Sequence, residues 1–203
     1  MEDKIILKIF FCLIFLSLLT DVSDVFAGDR IYIGRVIDAD TKEPIESAVV
    51  VAVWHEEGLG IAGSHSRVKD VKEILTDKDG RWSIEGPEGE EDKLIPGLLQ
   101  FVGVWMTKTP TFIVFKPGYC SWSFSAFSID ACKEKLKPRG NDGFIKGETV
   151  EVPKLTRRED RIKAQRISLS LMDGDREMLK KIKEFIRLKN EERKYLGLEE
   201  VDF

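Results

Sequence analysis

Gly34-Arg35-Val36-Ile37-Asp38-Ala39-Asp40-Thr41-Lys42-Glu43-Pro44-Ile45-Glu46-Ser47-Ala48-Val49-Val50-Val51 is the stretch whose reading decides the fold. It reads as a strand, a polar turn and a returning strand. Ile31, Ile33 and Ile37 share one strand phase, and Tyr32 and Val36 share the other. Pro44 has no amide donor and so marks a strand boundary after a turn over 39–44. The run from Val49 to Trp54 is almost wholly apolar, as suits a strand covered on both faces. About thirty residues on, Leu75-Thr76-Asp77-Lys78-Asp79-Gly80-Arg81-Trp82-Ser83-Ile84 repeats the pattern. Its Asp79-Gly80 pair predicts a hairpin turn, because glycine supplies positive φ. Together the two segments predict a small β-sandwich.

Outward from this pair, Thr111-Phe112-Ile113-Val114-Phe115-Lys116 is a further strand. Pro117-Gly118 turns the chain, and 119–127 returns. Two segments interrupt the alternation and are expected as long loops. Residues 55–70 carry Gly58, Gly60 and Gly63. Residues 86–108 open on Gly-Pro-Glu-Gly-Glu-Glu-Asp and then become apolar. Past Gly147 the pattern becomes helical. Thr156 and Glu159 fit a capping box that opens a helix over 157–169. Met178, Leu179, Ile182, Phe185 and Ile186 place one apolar stripe on a helix over 175–193, which Gly197 ends. That stripe could dock on the sandwich, on a partner helix or on a membrane surface.

The segments resemble the carboxypeptidase regulatory-like family. The resemblance rests on Gly34-x-Val36-x-Asp38 with Pro44-Ile45 and Ala48-Val49, then Thr76-Asp77-x-x-Gly80-x-Trp82, then Val114-Phe115-Lys116-Pro117-Gly118-Tyr119. It covers residues 30–127, near half the chain. It implies a transthyretin-like, prealbumin-like β-sandwich of about seven strands without a catalytic centre of its own. Family members sit beside metallocarboxypeptidase domains, in outer-membrane transporters, or alone in envelope proteins. The long loops and charged tail depart from the minimal pattern. The expected layout is a signal peptide over 1–27, the sandwich over 28–150 and a charged helical tail over 151–203.

An eleven-residue apolar run over 9–19 follows Lys4 and Lys8, and Val25-Phe26-Ala27 offers a signal-peptidase site. Cleavage after Ala27 implies an exported protein, periplasmic or extracellular, with no membrane span remaining. Glu2 and Asp3 weaken the basic flank, so an uncleaved N-terminal anchor is the alternative. Cys12 would leave with the leader. Cys120 and Cys132 then remain, and an exported chain favours one disulfide between them over two buried thiols. Closing that short loop would stabilise the fold by about 3 kcal/mol.

The formal charge is −4, from 32 basic and 36 acidic residues. Removing the two basic and four acidic residues of 1–27 leaves 30 and 32, a net of −2. The basic residues are interleaved with acidic ones, which argues against a nucleic-acid partner. His55, Glu56, Glu57 and His65 could be drawn as a metal site, but their spacing matches no rigid ligand frame, and no metal or cofactor is expected. Asp77-Lys78-Asp79-Gly80 is a turn rather than a calcium loop, since Arg81 and Trp82 stand where further oxygens belong. Neither a Gly-x-x-x-x-Gly-Lys nor a Gly-x-Ser-x-Gly pattern occurs in the sequence. Trp105, Tyr119 and Trp122 lie near turns and are candidate ligand-binding rings, with core filling as the competing role. Trp54 and Trp82, on strands, are core candidates. The expectation is a non-enzymatic exported structural or binding module of the bacterial envelope, its partner an envelope protein or a glycan. The alternatives are a carbohydrate- or peptide-binding module using the three rings, or a metal-dependent enzyme using the histidine loop.

Overall fold

Strand β1 (Ile31–Asp38) pairs antiparallel with β4 (Arg81–Glu85) and parallel with β8 (Glu148–Val152), giving a three-stranded sheet ordered β4-β1-β8. The second sheet is ordered β3-β2-β6-β7, from β3 (Gly63–Leu75), β2 (Val49–Gly60), β6 (Thr111–Phe115) and β7 (Trp122–Ser123). The short β5 (Trp105–Thr107) also pairs with β2, beyond the end of β6. The chain is therefore a β-sandwich with a C-terminal helical layer. The structure, a computed structural model, describes residues 31–60, 63–87, 105–123, 132, 147–165 and 176–201. The expected leader over 1–27, most of the 86–108 segment and the end of the 157–169 helix lie outside the described residues.

The two deciding segments form sheet-to-sheet corners, which corrects the hairpin expectation. β1 and β2 belong to different sheets, and so do β3 and β4. The turn chemistry itself is as read. Gly80 has φ 71°, its amide donates to Asp77 O at 2.9 Å, and Asp77 Oδ1 accepts from the amides of Asp79 and Arg81. A Cβ on Gly80 would stand 2.3 Å from Val36 O, so only glycine fits. The corners are knitted together by Val36 N to Gly80 O (2.8 Å), Ile45 N to Val36 O (3.1 Å) and the buried Thr76 hydroxyl. That hydroxyl donates to Ile45 O and accepts from Ala48 N.

Two apolar clusters flank the five-stranded sheet. Between the sheets, Val36, Trp82, Ile84, Val150 and Val152 meet Val50, Ala52, Trp54, Phe112 and Val114. The Tyr32 ring packs on Trp54 and Phe112 at 6.0 and 5.5 Å between centroids. On the opposite face, Val49, Val51, Val53, Val71, Ile113 and Phe115 meet Ile182, Phe185 and Leu188. β2 is thus covered on both sides over 49–54, as its continuous apolar run requires.

Among the described residues the C-terminal tail holds helices α1 (Arg158–Ala164), α2 (Arg176–Leu179) and α3 (Lys183–Tyr195). The capping box does not form: Arg157 is the N-cap, and no side chain caps the helix. The helix expected over 175–193 is broken at 180–182. There the Glu73 carboxylate of β3 accepts from the amides of Glu184 and Phe185 at 2.8 and 2.9 Å, meeting the first-turn donors of α3. Lys181 adds an ion pair to Asp70 of the same strand at 2.6 Å. The helical tail is consequently clasped to its own sandwich. Its C-terminus closes through Leu198 N to Arg193 O and Gly197 N to Lys194 O, with Gly197 at φ 68°. The buried Glu192 carboxylate receives both Arg161 Nε and a terminal nitrogen of the same guanidinium, tying α3 to α1.

The loop expected over 55–70 is instead the far half of a long β2–β3 hairpin. Its residues lack apolar alternation because charge pairs replace apolar contacts across the ladder. Glu56 stands opposite Arg67 in register and pairs with it at 2.9 Å, and with Lys69 at 3.5 Å. Glu57 pairs with Lys108 at 3.0 Å.

Candidate functional site

The outer surface of the three-stranded sheet and its β4 edge hold an open groove of about 670 Å³. Strand alternation builds it. Tyr32 and Val36 face the core, so Ile31, Ile33 and Arg35 face out; Trp82 and Ile84 face in, so Arg81, Ser83 and Glu85 face out. Ile74 and Leu75, at the end of β3, form the wall across the sandwich edge. Ile33 and Ile74 are each 38% exposed and Ile31 47%, unusually open for isoleucines of a sheet.

Register sets the charge. Val36 N donates to Gly80 O, so 36/80, 34/82 and 32/84 are the hydrogen-bonded pairs. Arg35/Arg81, Ile33/Ser83 and Ile31/Glu85 are then the close pairs, whose side chains approach most nearly. Two arginines therefore stand directly opposite on one exposed face. Arg35 Nε donates to Asp79 O at 2.8 Å. Neither guanidinium forms an ion pair among the described residues. The same parity turns the Ser83 N–H and C=O away from β1, toward the outer edge of β4. That edge is closed below by the Asp77 turn and above by Lys72 Nζ, which donates to Glu85 O (2.9 Å) and Gly86 O (3.2 Å). Among the described residues no strand pairs with it.

Of the three rings expected to form a ligand platform, Tyr119 and Trp122 both pack at the inter-sheet core. Trp122 is only 9% exposed and belongs to the inter-sheet core, which corrects its assignment as a ligand ring. Tyr119 is half-buried against the same cluster. Trp105 lies on β5 opposite Gly58, and its side chain lies outside the described residues. The Tyr119 hydroxyl bonds to Asp38, whose carboxylate also accepts from the amides of Asp40 (2.8 Å) and Thr41 (3.0 Å). Burial pushes Asp38 toward the neutral form. The Thr41 and Asp40 amides, Tyr119 and Lys154 outweigh it, and the group is held below its usual pKa. Burial, followed by the Asp38 charge, raises Tyr119. This cluster anchors the 39–44 turn.

His55 and His65 lie on facing strands, His65 opposite Gly58, three residues beyond His55 or about 10 Å along the ladder. Glu56 and Glu57 are held by the charge pairs described above. Among the described residues no three of His, Cys, Asp and Glu converge to hold a metal ion. Cys120 and Cys132 lie at disulfide distance, 2.07 Å between sulfurs and 5.8 Å between Cα atoms, inside the inter-sheet core. Among the described residues no helix is long and apolar enough to cross a membrane.

Arg35, Arg81, Ile33 and Ile74 carry the groove but do not emerge from the sequence. The phase of β1 already groups Ile31 and Ile33 with Arg35; what is missing is the β1–β4 pairing that brings Arg81 alongside.

No protein-family model matches the chain, and no curated protein sequence matches it. Among solved structures, a similar chain is 3-chlorocatechol 1,2-dioxygenase from Rhodococcus opacus 1CP, at 21% identity and a TM-score of 0.32. The match covers 66% of this chain and 64% of the dioxygenase, so it spans less than two thirds of that protein. A superposition this loose carries no argument about fold or activity.

Proposed function

We propose that the chain is a non-enzymatic, exported binding module of the bacterial envelope, built on a carboxypeptidase regulatory-like sandwich. The observation that carries this reading is the open groove with its two facing arginines and exposed isoleucines. Like charges directly opposite on a strand pair destabilise it, so their juxtaposition is a feature that a bound anionic group would relieve. The family membership is supported by what the resembling residues do. Val36, Ile45, Thr76 and Gly80 are the residues that knit the two sheet-to-sheet corners. Export is supported by the apolar leader and by the Cys120–Cys132 pair.

The test is to produce the full chain in a bacterial host with a photo-cross-linking residue placed in turn at Ser83, His65 and Tyr195. The expected result is a chain cleaved after Ala27, outside the cytoplasm, forming a discrete adduct that mass spectrometry assigns to an envelope protein. An uncleaved chain retained in the cytoplasm, with no adduct at any of the three positions, would refute the reading.

A further inference from the structure

We infer that the groove is a peptide site: an extended protein segment adds alongside β4 and places an acidic side chain against Arg81 and Arg35. This rests on the binding-module reading and names the partner's chemistry.

Three independent features of the groove converge on such a segment. The backbone of Ser83 presents one donor and one acceptor outward at a sheet edge that no described strand covers, the requirement for strand addition. Capping of that edge at both ends, by the Asp77 turn and by Lys72, limits the paired stretch to a few residues centred on Ser83. Arg81 sits two residues from Ser83 on the outward face, with Arg35 directly across from it. A carboxylate there would meet two guanidinium forks, each able to make paired N–H···O bonds.

The period of a strand then fixes the rest of the motif. Side chains two residues from the acid, on either side of it, lie on the same face. The one on the Ser83 side would stand near the exposed Ile33 and Ile74, which favour an apolar partner, whereas the other falls past the Asp77 turn that closes the edge. The recognised pattern is an acid with an apolar residue two positions away in extended conformation. An anionic glycan would satisfy the arginines but offers neither the backbone ladder for Ser83 nor apolar groups at that spacing.

The experiment titrates the purified mature protein with the capped peptide Thr-Ile-Thr-Glu-Thr-Ile-Thr by isothermal calorimetry. Its counterparts are a peptide with Gln for Glu, a peptide N-methylated on alternate residues of either parity, and polygalacturonate. The Glu peptide is expected to bind and the Gln peptide to bind about tenfold more weakly, the scale of a hydrogen bond to a charged group. N-methylation is expected to weaken binding in one parity and not the other. Arg35→Gln/Arg81→Gln should lose about tenfold for the Glu peptide alone, with an unchanged or higher melting temperature showing that it folds. Ile74→Thr tests the apolar wall independently, and should weaken the Glu and Gln peptides equally. Equal binding of the Glu and Gln peptides, full affinity in the double-arginine variant, or binding of polygalacturonate in place of the peptide would each overturn the inference. If it fails while cross-links at His65 or Tyr195 persist, only the groove assignment falls. If those adducts are missing as well, the binding-module reading falls with it.

Discussion

Truncating Phe185 tests whether the helical tail is an integral layer of this protein. Phe185 is 2% exposed, and its ring meets Phe115 of β6 edge-on at 5.6 Å between centroids. A buried phenylalanine removes roughly 150–250 Å² from water. At about 25 cal/mol per Å² that is roughly 4–6 kcal/mol for the whole side chain. Phe185→Ala keeps the Cβ and lets the site partly collapse, so about 3–5 kcal/mol should be lost. In a domain of this size that corresponds to a melting temperature about 10 °C lower. Urea unfolding followed by tryptophan fluorescence gives the free energy. Hydrogen exchange of the α3 amides shows whether the helix opens alone or with the sheet. Arg187→Ala, on the exposed side of α3, is the control and should leave the urea midpoint unchanged. A loss below about 1 kcal/mol for Phe185→Ala, with exchange in α3 unaltered, would refute the docked arrangement.

Arg81→Glu should replace a like-charge cross-strand pair by an opposite-charge one and stabilise the protein by about 1 kcal/mol, read as a raised urea midpoint, while removing affinity for the acidic peptide. Asp38 is held below its usual pKa, so the folded state releases this proton more readily than the unfolded chain. Its contribution is complete above the unfolded value near 4 and fades as pH falls through the lower folded value. Asp38→Asn should therefore cost about 1–2 kcal/mol at pH 7, and the gap from wild type should close progressively in urea titrations below about pH 4. Burial, with Arg193 nearby, lowers Lys189 from 10.5 to about 8, so between those values the unfolded chain binds more protons than the folded one. Wild-type stability should rise with pH across that interval. Lys189→Met should be more stable at pH 7 by up to about 3 kcal/mol and lose the advantage near pH 10.5, as measured by thermal melts from pH 7 to 10.5.

What the sequence conveyed followed from local chemistry. The apolar run of β2 announced a strand buried on both faces, and Gly80 and Gly197 announced the left-handed positions that only local sterics require. The spacing of Ile182, Phe185 and Ile186 announced the stripe that meets the outer sheet face. Pairing was not legible, because the Asp77–Gly80 turn dictates that the chain reverses but not which sheet receives it. The far half of the β2–β3 hairpin escaped notice because Glu56, Arg67, Lys69 and Lys108 stabilise it by charge, which leaves no alternating apolar signature. The break between α2 and α3 depends on Glu73, more than a hundred residues earlier, and no local signal encodes it. The groove had the same fate: Arg35 and Arg81 are unremarkable surface arginines until the β1–β4 register sets them face to face.

Whether this sandwich binds at the β4 edge is read from amide chemical shifts of the isotopically labelled protein during titration with the Thr-Ile-Thr-Glu-Thr-Ile-Thr peptide. Binding there should give saturable shifts centred on Ser83 and its neighbours Arg81 and Glu85, with the Ser83 amide protected from exchange and no response near Tyr195. Shifts confined to other surfaces, or an unaltered Ser83 amide at saturation, would contradict it.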